Sequence, residues 1–178
     1  MKTPQSGFTL FELMVGISIM GILVSLAVPT FQDFGRNARV VAAQNDIVTA
    51  LNYSRSEAIR RSTVVTVCAT ASFTDCGDTG DWPAGWFSFN DANANGAREN
   101  DEEILQLWRG PGETDVSVMT AGAGADHVSF TATGLVTPTA VTKTLMVYAS
   151  NCPSGEQRAR RVQVNGIGSI RNDRMNCP

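Results

Sequence analysis

The residues from Asp91 to Glu102 have the types and spacing to hold a cation. They follow the pattern D-x-[DN]-x-[DN]-G-x5-E position by position. In such a loop Asp91, Asn93 and Asn95 offer side-chain oxygens, Ala97 a backbone carbonyl and Glu102 a bidentate carboxylate to Ca2+. The same residues also suit an Asx-rich hairpin turn, with Asn95-Gly96 supplying left-handed backbone. Asparagine at two ligand positions lowers the charge of the site and its expected affinity. A second group, Arg158, Arg160, Arg161, Arg171 and Arg174, gathers near the end of the chain. Clustered arginines can bind a phosphate backbone such as that of DNA. They can equally form a solvated basic edge or meet an acidic face. A third feature is Glu12, the one charge in a 21-residue apolar run from Phe8 to Val28. A lone intramembrane carboxylate is a functional residue by default. No catalytic constellation emerges. His127 is the single histidine, and the Gly-rich stretch Ala121–Ala125 has no phosphate-binding lysine beside it. The chain reads as a non-enzyme.

Cys68, Cys76, Cys152 and Cys177 form an even set, which in an exported domain points to disulfides. Three pairings exist. The pairs Cys68–Cys76, closing a short loop, and Cys152–Cys177, tying down the C-terminus, are favoured over a zinc site because no C-x-x-C spacing is present.

The elements that position these groups differ along the chain. The bulk values, 178 residues, net charge -3 and mean hydropathy -0.05, describe a small acidic soluble domain. Those averages sum unlike pieces. About 20 apolar residues span a bilayer as a helix, so the run 8–28 qualifies as a membrane span. A cleaved secretory signal fits poorly, since a glutamate interrupts the run and no small-x-small site follows cleanly. From Gln32 to about Arg61, Val40, Ala43, Ile47, Ala50, Leu51, Ser54, Ala58 and Ile59 recur at helical steps. One helix from Thr9 to about Arg61, kinked near Pro29, is predicted. Beyond Ser62 the period changes to alternation. Strands are predicted at Thr63–Ala69, Gly85–Asn90, Glu103–Arg109, Val116–Thr120, Val128–Thr131, Thr144–Ala149 and Arg161–Asn165. The fold class is α+β, a long helix packed on an antiparallel sheet or pair of sheets. Charge is segregated too. Residues 63–115 carry a net -8, and residues 116–178 a net +3.

The stretch Gly7-Phe8-Thr9-Leu10-Phe11-Glu12-Leu13 resembles the N-terminus of type IV pilins and of the pseudopilins of type II secretion. Leu51-Asn52-Tyr53-Ser54-Arg55-Ser56-Glu57-Ala58 resembles the helix end of the GspH/FimT/FimU group, with Ser54 where that group has alanine. Taken locally, Arg55 and Glu57 are solvated helix charges and Ala58 is core. The resemblance implies a type IV pilin-like fold. It implies residues 1–7 as a leader, 8–28 as a transmembrane and filament-core helix, 29–62 as the amphipathic half of that helix, and 63–178 as a β-rich head. It implies cleavage by prepilin peptidase between Gly7 and Phe8, N-methylation of Phe8, and an assembly role for Glu12 as the fifth mature residue. Paired with a neighbour's terminal amine, that carboxylate sets axial register, because a buried charge needs its partner. The implied partners are other minor and major pilins and the pilus assembly machinery. The implied location is the bacterial inner membrane, single-pass with a periplasmic head, and then the filament at the cell surface. The same resemblance admits a GspH-type minor pseudopilin of type II secretion. It also admits a DNA-binding minor pilin for natural transformation. In that last group a G-R-x-R loop binds DNA; here it aligns with Gly168-Ser169-Ile170-Arg171, where Ser169 replaces the first arginine.

Overall fold

The structure is a computed structural model. It describes Gly7 and residues 9–78, 81–112, 116–121, 126–139 and 141–178, and of residues 26–30, 32 and 121 the backbone alone. The expected leader up to residue 6, the methylation site Phe8 and residues 122–125 of the Gly-rich stretch lie outside the described residues. The chain divides into two compact units, one ending at Gly35 and the other beginning at Arg36.

Helix α1 runs from Leu10 to Arg61. It starts in a capping box. Thr9 Oγ1 accepts from Glu12 N at 3.2 Å, while Glu12 Oε2 accepts from Thr9 N at 3.0 Å. That exchange satisfies two of the otherwise orphaned amides of the first turn. The helical backbone continues through Pro29, where the sequence predicts a kink. A proline removes one i→i−4 bond, yet the helix is unbroken there. The helix stops in a Schellman motif. Ser62 takes φ 54°, Ser62 N donates to Ile59 O, and Thr63 N donates to Ala58 O.

In the first unit, Leu10, Phe11, Leu13, Met14, Ile17, Met20, Ile22 and Leu23 are all exposed. A helix that is apolar all round needs a partner or a membrane to cover it. Among the described residues no helix is long and apolar enough to cross a membrane. The predicted span 8–28 includes Phe8 and the side chains of 26–28, which are not among them.

In the second unit the remaining helix turns pack on two antiparallel sheets. The first has the order β3–β2–β1–β5–β6 and the second β4–β7–β8–β9. In chain order the strands are β1 Val65–Ala69, β2 Gly85–Asn90, β3 Ile104–Arg109, β4 Val116–Ala121, β5 His127–Phe130, β6 Val136–Thr137, β7 Lys143–Ala149, β8 Ala159–Val164 and β9 Ile170–Met175. The predicted strands are all present, Gly85–Asn90 with its predicted bounds and the others with one or both ends shifted, and β6 and β9 are additional. β9 escapes alternation because only its two end residues are partly covered and Arg171 to Arg174 are exposed. In β7 the burial alternates strictly, which marks one face on the core and one outside.

A single apolar core joins the helix stripe to both sheets. Val40, Ala43, Ile47, Ala50, Leu51 and Ala58 meet Val65, Val67 and Phe130 of one sheet and Leu145, Val147 and Val162 of the other. Ser54 is fully buried in this stripe, and its hydroxyl donates to Ala50 O at 2.8 Å. The departure from alanine therefore leaves no unsatisfied polar atom. Ile59 leaves the predicted stripe and is half-exposed. A second cluster, Cys68, Phe87 and Phe89, covers the opposite face of the first sheet.

The favoured disulfides form. Cys68 pairs with Cys76, and Cys152 with Cys177, each with Cα atoms 5.6 Å apart. The second closes a separation of 25 residues. Replacing Cys152 and Cys177 together by serine is expected to cost about 3 kcal/mol on the chain-entropy account. The measurement is the urea midpoint; an unchanged midpoint refutes it.

Candidate functional site

The functional surfaces are best built from the helix outward. At its N-terminal end Glu12 sits in the first turn, with Thr9 Oγ1 also donating to Glu12 Oε2 at 3.0 Å. The carboxylate faces the unpaired amide end of the helix, where negative charge is favoured. Gly7, one residue before the undescribed Phe8, is exposed.

At the other end of the helix, Arg55 is not a solvated charge. It is half-buried, and its Nε donates to Gly134 O at 3.0 Å, across 79 residues of sequence. Gly134 lies in the turn between β5 and β6, and Gly168 in the turn between β8 and β9. Both glycines have positive φ, 76° and 74°. A Cβ on Gly168 would stand 2.1 Å from Gly134 O and 3.0 Å from Arg55 Nε. The guanidinium thus packs where one turn from each sheet converges, and both turns need glycine to let it in. Glu57 is also largely covered and gathers Arg60 and Arg61, and Arg61 reaches on to Glu103 at 2.6 Å. The hydrogen bonds from Arg60 and then Arg61 hold the Glu57 carboxyl below its usual pKa. That contribution is present above the ordinary glutamate range and fades as pH falls through the lowered value.

The loop from Asp91 to Glu102 joins β2 to β3, as a strand-to-strand connection. Asp91 is fully buried. Its Oδ1 accepts from Asn95 N at 3.1 Å, and its Oδ2 accepts from Gly96 N at 3.0 Å and from Thr66 Oγ1 at 2.6 Å. Asn93 Oδ1 accepts from Asn95 N, and Asn95 Oδ1 from Ala97 N. Glu102 closes the loop, its Oε1 accepting from Ala92 N at 2.9 Å and its Oε2 from Glu99 N at 3.1 Å. Burial pushes the Glu102 carboxyl up, while the Asn95 and Asn93 amides hold Glu99 down. The left-handed residues are Ala94 and Gly96, not the predicted Asn95. Gly96 lies against the His127 ring, so β5 supports the loop. Among the described residues no group of three or more His, Cys, Asp or Glu is placed to hold a metal.

The five arginines do not form one patch. Arg158 precedes β8 and pairs with Glu156 at 2.6 Å. Arg161 is bidentate to Asp173, its opposite number on β9. Arg171 stands opposite Gln163 on that same face, whereas Arg160 and Arg174 oppose each other on the reverse face. Sequence proximity grouped them, but strand alternation separates them.

Comparison with known proteins places this architecture. The family model described as type II transport protein GspH matches residues 43–168, most of the head and its helix. The chain belongs to the GspH family. The prokaryotic N-terminal methylation motif matches residues 2–28. A fimbrial protein of Pseudomonas aeruginosa is 38% identical over 66 residues, 37% of this chain and 42% of that protein. A type IV major pilin protein of Neisseria gonorrhoeae is 51% identical over 43 residues, 24% of this chain and 26% of that protein. The chain thus matches less than half the length of these curated relatives. The crystal structure of the type IV minor pilin FimU of P. aeruginosa superposes with a TM-score of 0.57 at 20% identity, covering 79% of this chain and 92% of that one. The GspH-family fold, a helix on two antiparallel sheets, is therefore a type IV pilin-like fold.

The sequence pattern presents Arg55 as a solvated charge and gives Lys143 no distinguishing signal. The signal for the first was a helix arginine with two distant glycine turns, which no local pattern connects. Lys143 is buried on β7, and its Nζ donates to His127 O on β5, tying the two sheets. Burial pushes its ammonium pKa down, with the Asp126 charge opposing. Arg55→Ala is expected to destabilise the GspH-type head by about 2 kcal/mol, the loss of a hydrogen bond from a charged group. Gly168→Ala should cost at least as much, because left-handed φ and the Gly134 carbonyl both oppose the methyl. Denaturant midpoints measure both, and a wild-type midpoint for Arg55→Ala would refute the clamp.

Proposed function

We propose that this chain is a minor type IV pilin, a structural subunit without catalytic activity. It is anchored in the bacterial inner membrane by one helix with its head in the periplasm. Prepilin peptidase cuts after Gly7, Phe8 is methylated, and the subunit joins other minor and major pilins through the assembly machinery to prime or cap a filament. The observation that carries this reading is the exposed, predominantly apolar stretch at residues 10–25 of the helix, with one carboxylate, Glu12, in its first turn. Such a helix gains by packing among others like it. A carboxylate at its tip then selects the stagger that gives it a cationic partner.

The test is Glu12→Ala in cells that make the filament. Processing at Gly7 should continue, while the variant stays in the membrane fraction and its amount in sheared filaments falls at least about tenfold, about 1.4 kcal/mol of lost pairing. Undiminished incorporation refutes the assembly role. The family description favours a second reading, a minor pseudopilin of type II secretion. Purifying the tagged subunit with its neighbours separates the two, by whether pilins or secretion components accompany it. DNA binding through Arg158, Arg160, Arg161, Arg171 and Arg174 is less well supported. Two of the five are taken by acids, and a phosphate track needs several free cations in line.

We infer that the Asp91–Glu102 loop is a turn that closes itself rather than a calcium cage. The backbone donors on Asp91, Asn93, Asn95 and Glu102 support this reading. A chelator should leave the melting temperature unchanged. A rise with added Ca2+, which stabilises a folded state that binds it, would overturn the inference.

A further inference from the structure

On the face of β8 that carries Val162 and Val164, Arg160 stands directly across the ladder from Arg174 of β9. Cross-strand partners hold their Cβ atoms about 5 Å apart, and like charges there repel. The two guanidiniums border a recess of about 200 Å³ whose other walls are Gln44 of the helix, Asn172 and Asp173. Asp173 does not neutralise them, since both its oxygens lie on Arg161. Arg160 Nη1 is buried and meets no acceptor among the described residues. Burial and the Arg174 charge both push the Arg160 pKa downward. A buried charged donor without an acceptor is costly. An oxyanion in the recess would relieve the repulsion between the two guanidiniums, because a carboxylate accepts from two guanidinium forks at once.

We propose that Arg160, Arg174 and Gln44 form a socket for an acidic side chain of a second copy of this chain. The proposal rests on the filament-subunit reading above. The chain itself supplies the complementary surface. Residues 63–115 carry a net -8, and Asp75, Asp78 and Asp101 are exposed there. A nucleic acid backbone fits less well, because the recess holds one isolated pair of cations. Arg171 is on the opposite face, and Arg158 and Arg161 are already paired.

The test uses the full chain in detergent micelles with the photocrosslinking substitution Asn172→p-benzoylphenylalanine. Asn172 shares the Arg174 face and is exposed. Irradiation should link it to the 70–103 region of a second copy. The yield should fall about fivefold with Arg174→Ala, equivalent to about 1 kcal/mol. Arg174→Lys should restore part of it, and about 0.5 M salt should suppress it. A yield indifferent to Arg174→Ala, or links only to other regions, overturns the socket. A labelled DNA duplex bound by the parent chain and lost with Arg174→Ala assigns the recess to phosphate and also overturns it. A second crosslinker at Leu13 reports helix packing. Links there with none at Asn172 reject the socket and leave the subunit reading standing; none at either site rejects both.

Discussion

Both sheets close on one stripe of one helix, and the rest of the head depends on that burial. The stripe is narrow and made largely of small residues, Ala43, Ala50, Ser54 and Ala58, with Val40, Ile47 and Leu51 between them. Small side chains let strand side chains from two separate sheets reach the same helix. The sheets form separate ladders, bridged by Val136 N donating to Gly166 O at 2.9 Å, and side-chain packing on the helix holds most of their shared surface together. A buried hydroxyl without a partner carries its full desolvation cost, which is why the buried Ser54 satisfies its hydroxyl within the helix.

Polar contacts then fix what packing alone leaves free. Arg55 carries the helix into a turn from each sheet, and Lys143 ties β7 to β5. Thr66, Asp91 and Ser129 form a buried polar line on the other side of the first sheet. These groups are directional, so they select one arrangement of the sheets among those that apolar burial would accept. The same logic separates the two faces of β8 and β9. On one face Arg161 and Asp173 neutralise each other; on the other Arg160 and Arg174 share a recess whose acid, Asp173, is held by Arg161.

Much of this was legible in the residues. The apolar run and Glu12, the amphipathic stripe and the change to alternation at Ser62 follow from hydropathy period alone, because burial on one face imposes that period. Of three possible disulfide pairings the residues favoured the one that forms, since one bond closes a short loop and the other ties down the C-terminus. β9 was not legible, because an edge strand with Arg171, Asn172, Asp173 and Arg174 exposed carries no alternation to read. β6 was too short to show any. The Asp91–Glu102 motif was read correctly as a loop between strands. Of its left-handed residues Gly96 was legible, while the second is Ala94 rather than Asn95, whose amide instead donates to Asp91.

The sequence by itself determined the order of parts: an apolar helix, an amphipathic helix and a disulfide-closed β-rich head, with its family signature. Those are properties of neighbours along the chain, and short-range periodicity records them. Only the tertiary structure decided which charges are free. Arg55, Arg161 and Arg174 look alike as residues, yet one is clamped by turns 79 and more residues away, one is paired across a ladder, and one faces another arginine. Their partners come from strands distant in sequence, and electrostatic fate follows distance in space.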